Sequence, residues 1–270
     1  MAIRIISALV ALPLFLVIVF FLPPQFLTVA ISVLSVISVY ELLWRTKIIA
    51  NKPLMVAAYI IAAAIPVWAH FGFKSEYVLP MLFVLVIYLF LVWMSNQKNI
   101  SFKMIAETFF GAVVIPLFFS SIIGIMKLPD AKLMILIPFI AAWMTDTGAY
   151  FTGVFFGKHK LAPEISPKKT VEGAIGGIIV CTVSFLIYGV VIEHFFNADI
   201  NYLMLAVSGL VLSPIAQIGD LSLSLIKREY NVKDYGVIFP GHGGILDRFD
   251  SVLFTAPATL IILRLLTLTF

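Results

Sequence analysis

The sequence predicts an all-α, polytopic integral membrane protein, and three observations predict it. The 270 residues are 62% apolar with a mean hydropathy of +1.10, whereas soluble domains are roughly half apolar. Apolar runs of about 18 or more residues recur along the chain, each long enough to cross a roughly 30 Å hydrocarbon core as a helix. Strand-like alternation is absent, which argues against a membrane barrel.

Taken in order, the apolar runs give about nine spans: 4–22, 26–44, 53–70, 77–95, 105–126, 133–156, 172–196, 202–226 and 251–269. The first run is long for a secretory signal and lacks a small-residue cleavage site, so it reads as a retained helix. Pro13, Pro66, Pro116, Pro214 and Pro257 fall inside spans, where proline marks a kink rather than an end. Cys181 is the sole cysteine, so no intrachain disulfide can form. No linker or repeat divides the chain. It reads as one transmembrane domain over 1–270. Residues 1–130 would be scaffold, with surface for a homodimer contact, and 131–270 would carry the catalytic helices and cytosolic loops.

Nine crossings place fourteen lysines and arginines on one side and three on the other, with Arg264 inside the last span. Positive charge marks the cytoplasmic side. The N-terminus and both charge-rich loops are therefore expected in the cytosol, with the protein in the cell (inner or plasma) membrane.

Charge is scarce, at 12% of residues, yet two segments hold half of it. One runs from Asp146 to Glu172 and includes Lys158, Lys160, Lys168 and Lys169. The other runs from Asp220 to Asp250. Ser213, Gln217, Asp220, Ser224 and Lys227 follow at spacings of 4, 3, 4 and 3, which puts them on one helix face. A carboxylate within a span is costly and faces a cavity or a partner. Asp146, Tyr150, Gly153 and Gly157 make a second stripe, whose glycines admit a close neighbouring backbone. In the stretch PGHGGILDRFDS, glycines flank His242, so the backbone can turn sharply and present N–H groups. Asp247 and Asp250 follow at the start of the last span. Carboxylates there suit the helix dipole, and they also suit a hard divalent cation that shares phosphate oxygens and water.

Blander readings apply to part of this charge. Arg45, Lys47, Lys52, Lys98 and Lys103 can serve orientation alone. Glu41 with Arg45, and Lys103 with Glu107, read as ordinary i,i+4 helix pairs. Asp250 can be a dipole partner only, and His242 alone can be a satisfied polar residue. Acids for a cation, bases for phosphates, a glycine turn and a polar stripe together suit phosphoryl or nucleotidyl transfer at the membrane face. No G-x-x-x-x-G-K-[ST] loop is present, which excludes a P-loop enzyme.

The stretch Ser224-Leu225-Ile226-Lys227-Arg228, then Lys233-Asp234, Gly236, Phe239-Pro240, His242-Gly243-Gly244 and Asp247-Arg248-Phe249-Asp250 resembles the signature of the phosphatidate cytidylyltransferase (CDP-diacylglycerol synthase) family. The region from Asp146 through Lys168-Lys169-Thr170 to Glu172 resembles a second block of that family. The resemblance implies transfer of CMP from CTP to phosphatidic acid, giving CDP-diacylglycerol and pyrophosphate, with Mg²⁺ and room for a second cation. It implies membrane lipid as a partner and no nucleic acid. Asp220, Asp247, Lys227, Arg228 and His242 would be catalytic. Asp220, Asp247, Asp146 and Asp250 would hold metal. Lys168, Lys169, Ser224, Lys233, Asp234, Gly243, Gly244 and Arg248 would bind substrate. Two rivals stand beside this reading: a CTP-dependent lipid-alcohol kinase, and an anion transporter. The short, charge-poor far-side loops count against the transporter.

Overall fold

A computed structural model describes residues 13, 15–49, 51–129, 131–236 and 243–266. It is helical almost throughout. The chain divides into two compact units, Met1–Gly124 with Val232–Arg248, and Ile125–Asn231 with Phe249–Phe270. Each is described separately.

In the first unit, α1 (Pro24–Val39) starts with proline in its first turn and runs on through a π-helical turn, Tyr40–Arg45. Proline suits that position because its missing N–H would be unpaired there anyway. Asn51 caps α2 (Lys52–His70) by accepting from Leu54 N at 3.2 Å. Small residues on α2, Ala58 and Ala62, are fully buried, and Ser32 of α1 donates to Ala63 O at 3.2 Å. Helix α3 (Val78–Ser95) buries only Leu89 and exposes Leu79, Phe83 and Val84. An apolar helix with so little protein around it needs lipid as its solvent. Ser101 caps α4 (Phe102–Phe109), which passes through a second π-helical turn, Phe110–Val114, into α5 (Ile115–Ile125).

The second unit holds α6 (Ala131–Met134), α7 (Ile137–Phe156), a hairpin of β1 (Lys160–Ala162) and β2 (Ser166–Thr170), α8 (Val171–Phe196), α9 (Tyr202–Glu229) and α10, whose full range is Leu246–Leu266. At about 1.5 Å per residue, the 26 residues of α8 and 28 of α9 exceed the hydrocarbon thickness. Helices α7 and α8 pack closely at Gly148, where an added Cβ would lie 2.6 Å from Val180 Cβ. Cys181 is free and buried, as expected of a lone thiol in an apolar run.

Seven helical stretches are long and apolar enough to cross a membrane among the described residues: Pro24–Arg45, Lys52–His70, Val78–Ser95, Phe102–Ile125, Ala131–Phe156, Val171–Phe196 and Tyr202–Glu229. They match the expected second to eighth spans. The expected first span falls largely outside the described residues. The expected last span corresponds to α10, which is not among the seven. One expectation changes: the charged segment after α7 is a hairpin rather than loop, with Lys160 opposite Thr170 and Ala162 opposite Ser166.

Candidate active site

The predicted polar stripe on α9 is present, and its members reach different neighbours. Ser213 Oγ accepts from Thr145 Oγ1 at 2.8 Å, and Gln217 Nε2 donates to Ala174 O at 3.1 Å. Asp220 Oδ2 meets Lys169 Nζ of β2 at 2.6 Å, while Ser224 Oγ, one turn on, donates to Asp220 Oδ1 at 3.2 Å. The stripe thus ties α9 to α7, to α8 and to the hairpin. The next basic residue, Arg228, donates from Nε to Ile165 O at 3.1 Å and pins the hairpin turn to the end of α9.

Between these elements lies a cavity of about 590 Å³, lined by Asp146, Tyr150, Gly153 and Val154 of α7, Lys160, Leu161, Lys168, Lys169 and Thr170 of the hairpin, and Gln217 and Asp220 of α9, with Ala149, Gly173 and Ala174 completing it. Its size is that of a ligand pocket. Three lysines and two carboxylates line it, with Lys169 paired to Asp220. Tyr150 and Val154 are also exposed, so one wall of the cavity is apolar and opens outward.

Local sequence explains how the hairpin is held. Thr170 caps α8 by accepting from Gly173 N at 3.1 Å. The Glu172 carboxylate turns back to accept from Lys158 N at 3.1 Å and from His159 N at 3.2 Å, with His159 Nδ1 at 2.6 Å. Both ends of the hairpin are thereby fixed to the first turn of α8. On the α9 side, Gly219 packs against α10: a Cβ there would lie 2.8 Å from Asp250 O. That approach brings Asp250 into the field of Asp220, Asp146 and Lys227. Asp146, Asp220 and Asp250 are hard oxygen donors of the kind a divalent cation takes, and the Lys169 ammonium already supplies positive charge to one of them. Among the described residues, no group of three or more His, Cys, Asp or Glu side chains is drawn together tightly enough to hold a metal ion.

In the first unit, Asp247 organises the glycine turn. Its Oδ2 accepts from Tyr235 N at 2.8 Å and from Gly244 N at 2.9 Å. Gly243 has φ +84°, a left-handed conformation that favours glycine. A Cβ there would also lie 2.7 Å from Asp247 Oδ2. Lys233, Asp234 and Arg248 are exposed. His242 lies outside the described residues.

Two residues near these groups escaped sequence reasoning. Lys160 was counted as loop charge, but the hairpin places it on the cavity wall; its only signal was its distance from Lys168 across a proline-bearing turn. Glu41 corrects the helix-pair reading. It is fully buried, and its two oxygens accept from Ile245 N at 3.0 Å and Leu246 N at 2.9 Å. The companion pair is as expected, with Lys103 Nζ 3.8 Å from Glu107 Oε1.

Fold and cavity together define a polytopic membrane enzyme whose charged groups gather at helix ends. The chain belongs to the cytidylyltransferase family, whose profile matches residues 2–266. It is 37% identical over 256 residues to the phosphatidate cytidylyltransferase of Bacillus subtilis (strain 168), covering 93% of each chain. It is 49% identical over 134 residues to the protein of that name from Staphylococcus haemolyticus (strain JCSC1435), covering 50% of each, and 50% identical over 129 residues to that of Staphylococcus aureus (strain COL), covering 48% of each.

Proposed function

We propose that this chain transfers CMP from CTP to phosphatidic acid, releasing pyrophosphate and forming CDP-diacylglycerol at the cytoplasmic face of the membrane. The observation that carries the reading is the cavity lined by Lys160, Lys168 and Lys169 together with Asp146 and Asp220 beside an exposed apolar wall, in a member of the cytidylyltransferase family.

Chemistry follows from the parts. A phosphatidate oxygen attacks the α-phosphorus of CTP, a new P–O bond forms, and the bond to the β-phosphate oxygen breaks with its electron pair leaving on pyrophosphate. A phosphate monoester has a second pKa near about 6, so the nucleophile is already largely ionised at neutral pH and needs no strong general base. What remains is positioning and neutralisation of charge. Lys160, Lys168 and Lys169 supply fixed positive charge, and Lys227 and Arg228 extend it along α9. Asp146 and Asp220 on the cavity wall, with phosphate oxygens and water completing the shell, would hold Mg²⁺. When bound, that cation neutralises phosphate charge. The apolar wall at Tyr150 and Val154 admits acyl chains sideways from lipid. His242, Gly243 and Gly244 would meet the triphosphate.

The test uses purified protein in detergent with phosphatidic acid, Mg²⁺ and CTP labelled at either the α or the γ phosphorus. The reading predicts lipid labelled from the α position only. Label from the γ position would make the protein a lipid kinase, and no transfer from either would overturn an enzymatic role.

A further inference from the structure

We infer that Glu41, far away in sequence in the N-terminal part of the chain, is a positioning residue for the nucleotide: it fixes the glycine turn that leads into α10. This rests on the function proposed above and adds a residue to it.

The geometry is specific. Glu41 lies in the π-helical turn that follows α1, and such turns are frequent at functional positions. Its side chain is fully buried. Each oxygen accepts one backbone N–H, Ile245 to Oε1 and Leu246 to Oε2. These are N–H groups at the start of a helix, which have no partner within it, and a carboxylate there is favoured by the dipole as well. Glu41 thus caps α10 from another element. Both Gly236 and Gly244 pack directly on the Glu41 carboxylate, and a side chain at either would run into it. Gly244 N is in turn bound by Asp247. Two carboxylates therefore hold four backbone N–H groups, those of Tyr235, Gly244, Ile245 and Leu246. With these N–H groups bound, the backbone at 243–246 and the Asp247 carboxylate are set before substrate arrives.

A salt pair with Arg45 would tolerate glutamine at position 41; the observed cap would not. Glutamine offers one acceptor where two are used, and its amide N–H₂ would face a backbone N–H. The experiment measures initial rates of the full chain in detergent for wild type, Glu41→Gln and Ser38→Ala, a neighbouring buried control outside the site, varying CTP and phosphatidic acid separately. Amide exchange is followed in a peptide spanning 243–248. The expected result for Glu41→Gln is a KM for CTP raised about tenfold, an unchanged KM for phosphatidic acid, and faster exchange at residues 245 and 246. The control should match wild type. Gly236→Ala, which presses on the same carboxylate, should give the same selective change and serves if Glu41→Gln accumulates poorly. Unchanged kinetics, or a lower maximal rate with both KM values unchanged, would overturn the inference. If wild type failed to transfer the α label, the proposed function would fall, while unchanged exchange in Glu41→Gln would sink the cap itself.

Discussion

Lys169 meets Asp220 at 2.6 Å with both side chains about a quarter exposed, on the wall of a cavity lined by hairpin lysines and helix carboxylates. A pair in that position is better explained by the charge it presents to a ligand than by stability, since partly exposed pairs contribute little. Lys169→Gln should reduce kcat/KM by about 10²-fold, the usual scale for losing one charge-stabilising group, with little change in thermal midpoint. Asp247 allows a sharper separation of roles. Asp247→Asn can keep an amide oxygen for Tyr235 N and Gly244 N while losing the negative charge, whereas Asp247→Ala loses both. If the charge holds a cation, turnover is abolished in both variants; if only the turn matters, Asp247→Asn stays active. At this scale the sequence was informative where polar residues broke a helical face. Asp220 and its stripe could be read from spacing because the other positions are mostly Leu, Ile, Val and Ala. Glu41 could not, because its partners lie 204 and 205 residues away and a nearby arginine offered a local explanation.

The helices follow from apolar runs longer than a bilayer, and observed ends fall within a few residues of the expected ones for α1 to α3 and α7 to α9. The hairpin was hidden for a physical reason. Its strands are three and five residues long, carry Pro163 and Pro167 at or near their ends, and bury no continuous face, so no period-2 signal exists. Its stability comes instead from attachment to α8 and α9. Thr170→Ala should cost about 1 kcal/mol by removing the α8 cap, measured as a lower midpoint of thermal unfolding in detergent. Gly219→Ala probes the contact of α9 with α10. Its Cβ would press on Asp250 O and lie 3.0 Å from Phe254 Cβ, and overpacking costs about 1–3 kcal/mol. Activity should fall further than stability, since the displaced segment carries Asp250.

Over the whole molecule, charge asymmetry predicts a cytoplasmic N-terminus, and that orientation would decide where nucleotide enters. Cys181 is buried and is the sole cysteine, so single cysteines can be placed in a Cys181→Ser background. Glu164→Cys in the hairpin should react with an impermeant reagent from the cytoplasmic side, and Asp199→Cys, beyond α8, from the other. Labelling of both from one side would refute the arrangement. The class of chemistry was legible because half the charge of an apolar chain sits in two segments. How those segments fold was less so, because the hairpin and the Glu41 cap depend on tertiary packing. The most direct measurement is transfer from α-labelled CTP to phosphatidic acid by wild type and Asp220→Asn side by side, with membrane insertion checked for each. Labelled CDP-lipid from the wild type and none from the variant is the predicted result; equal labelling by both would contradict the placement of the reaction at the Lys169–Asp220 cavity.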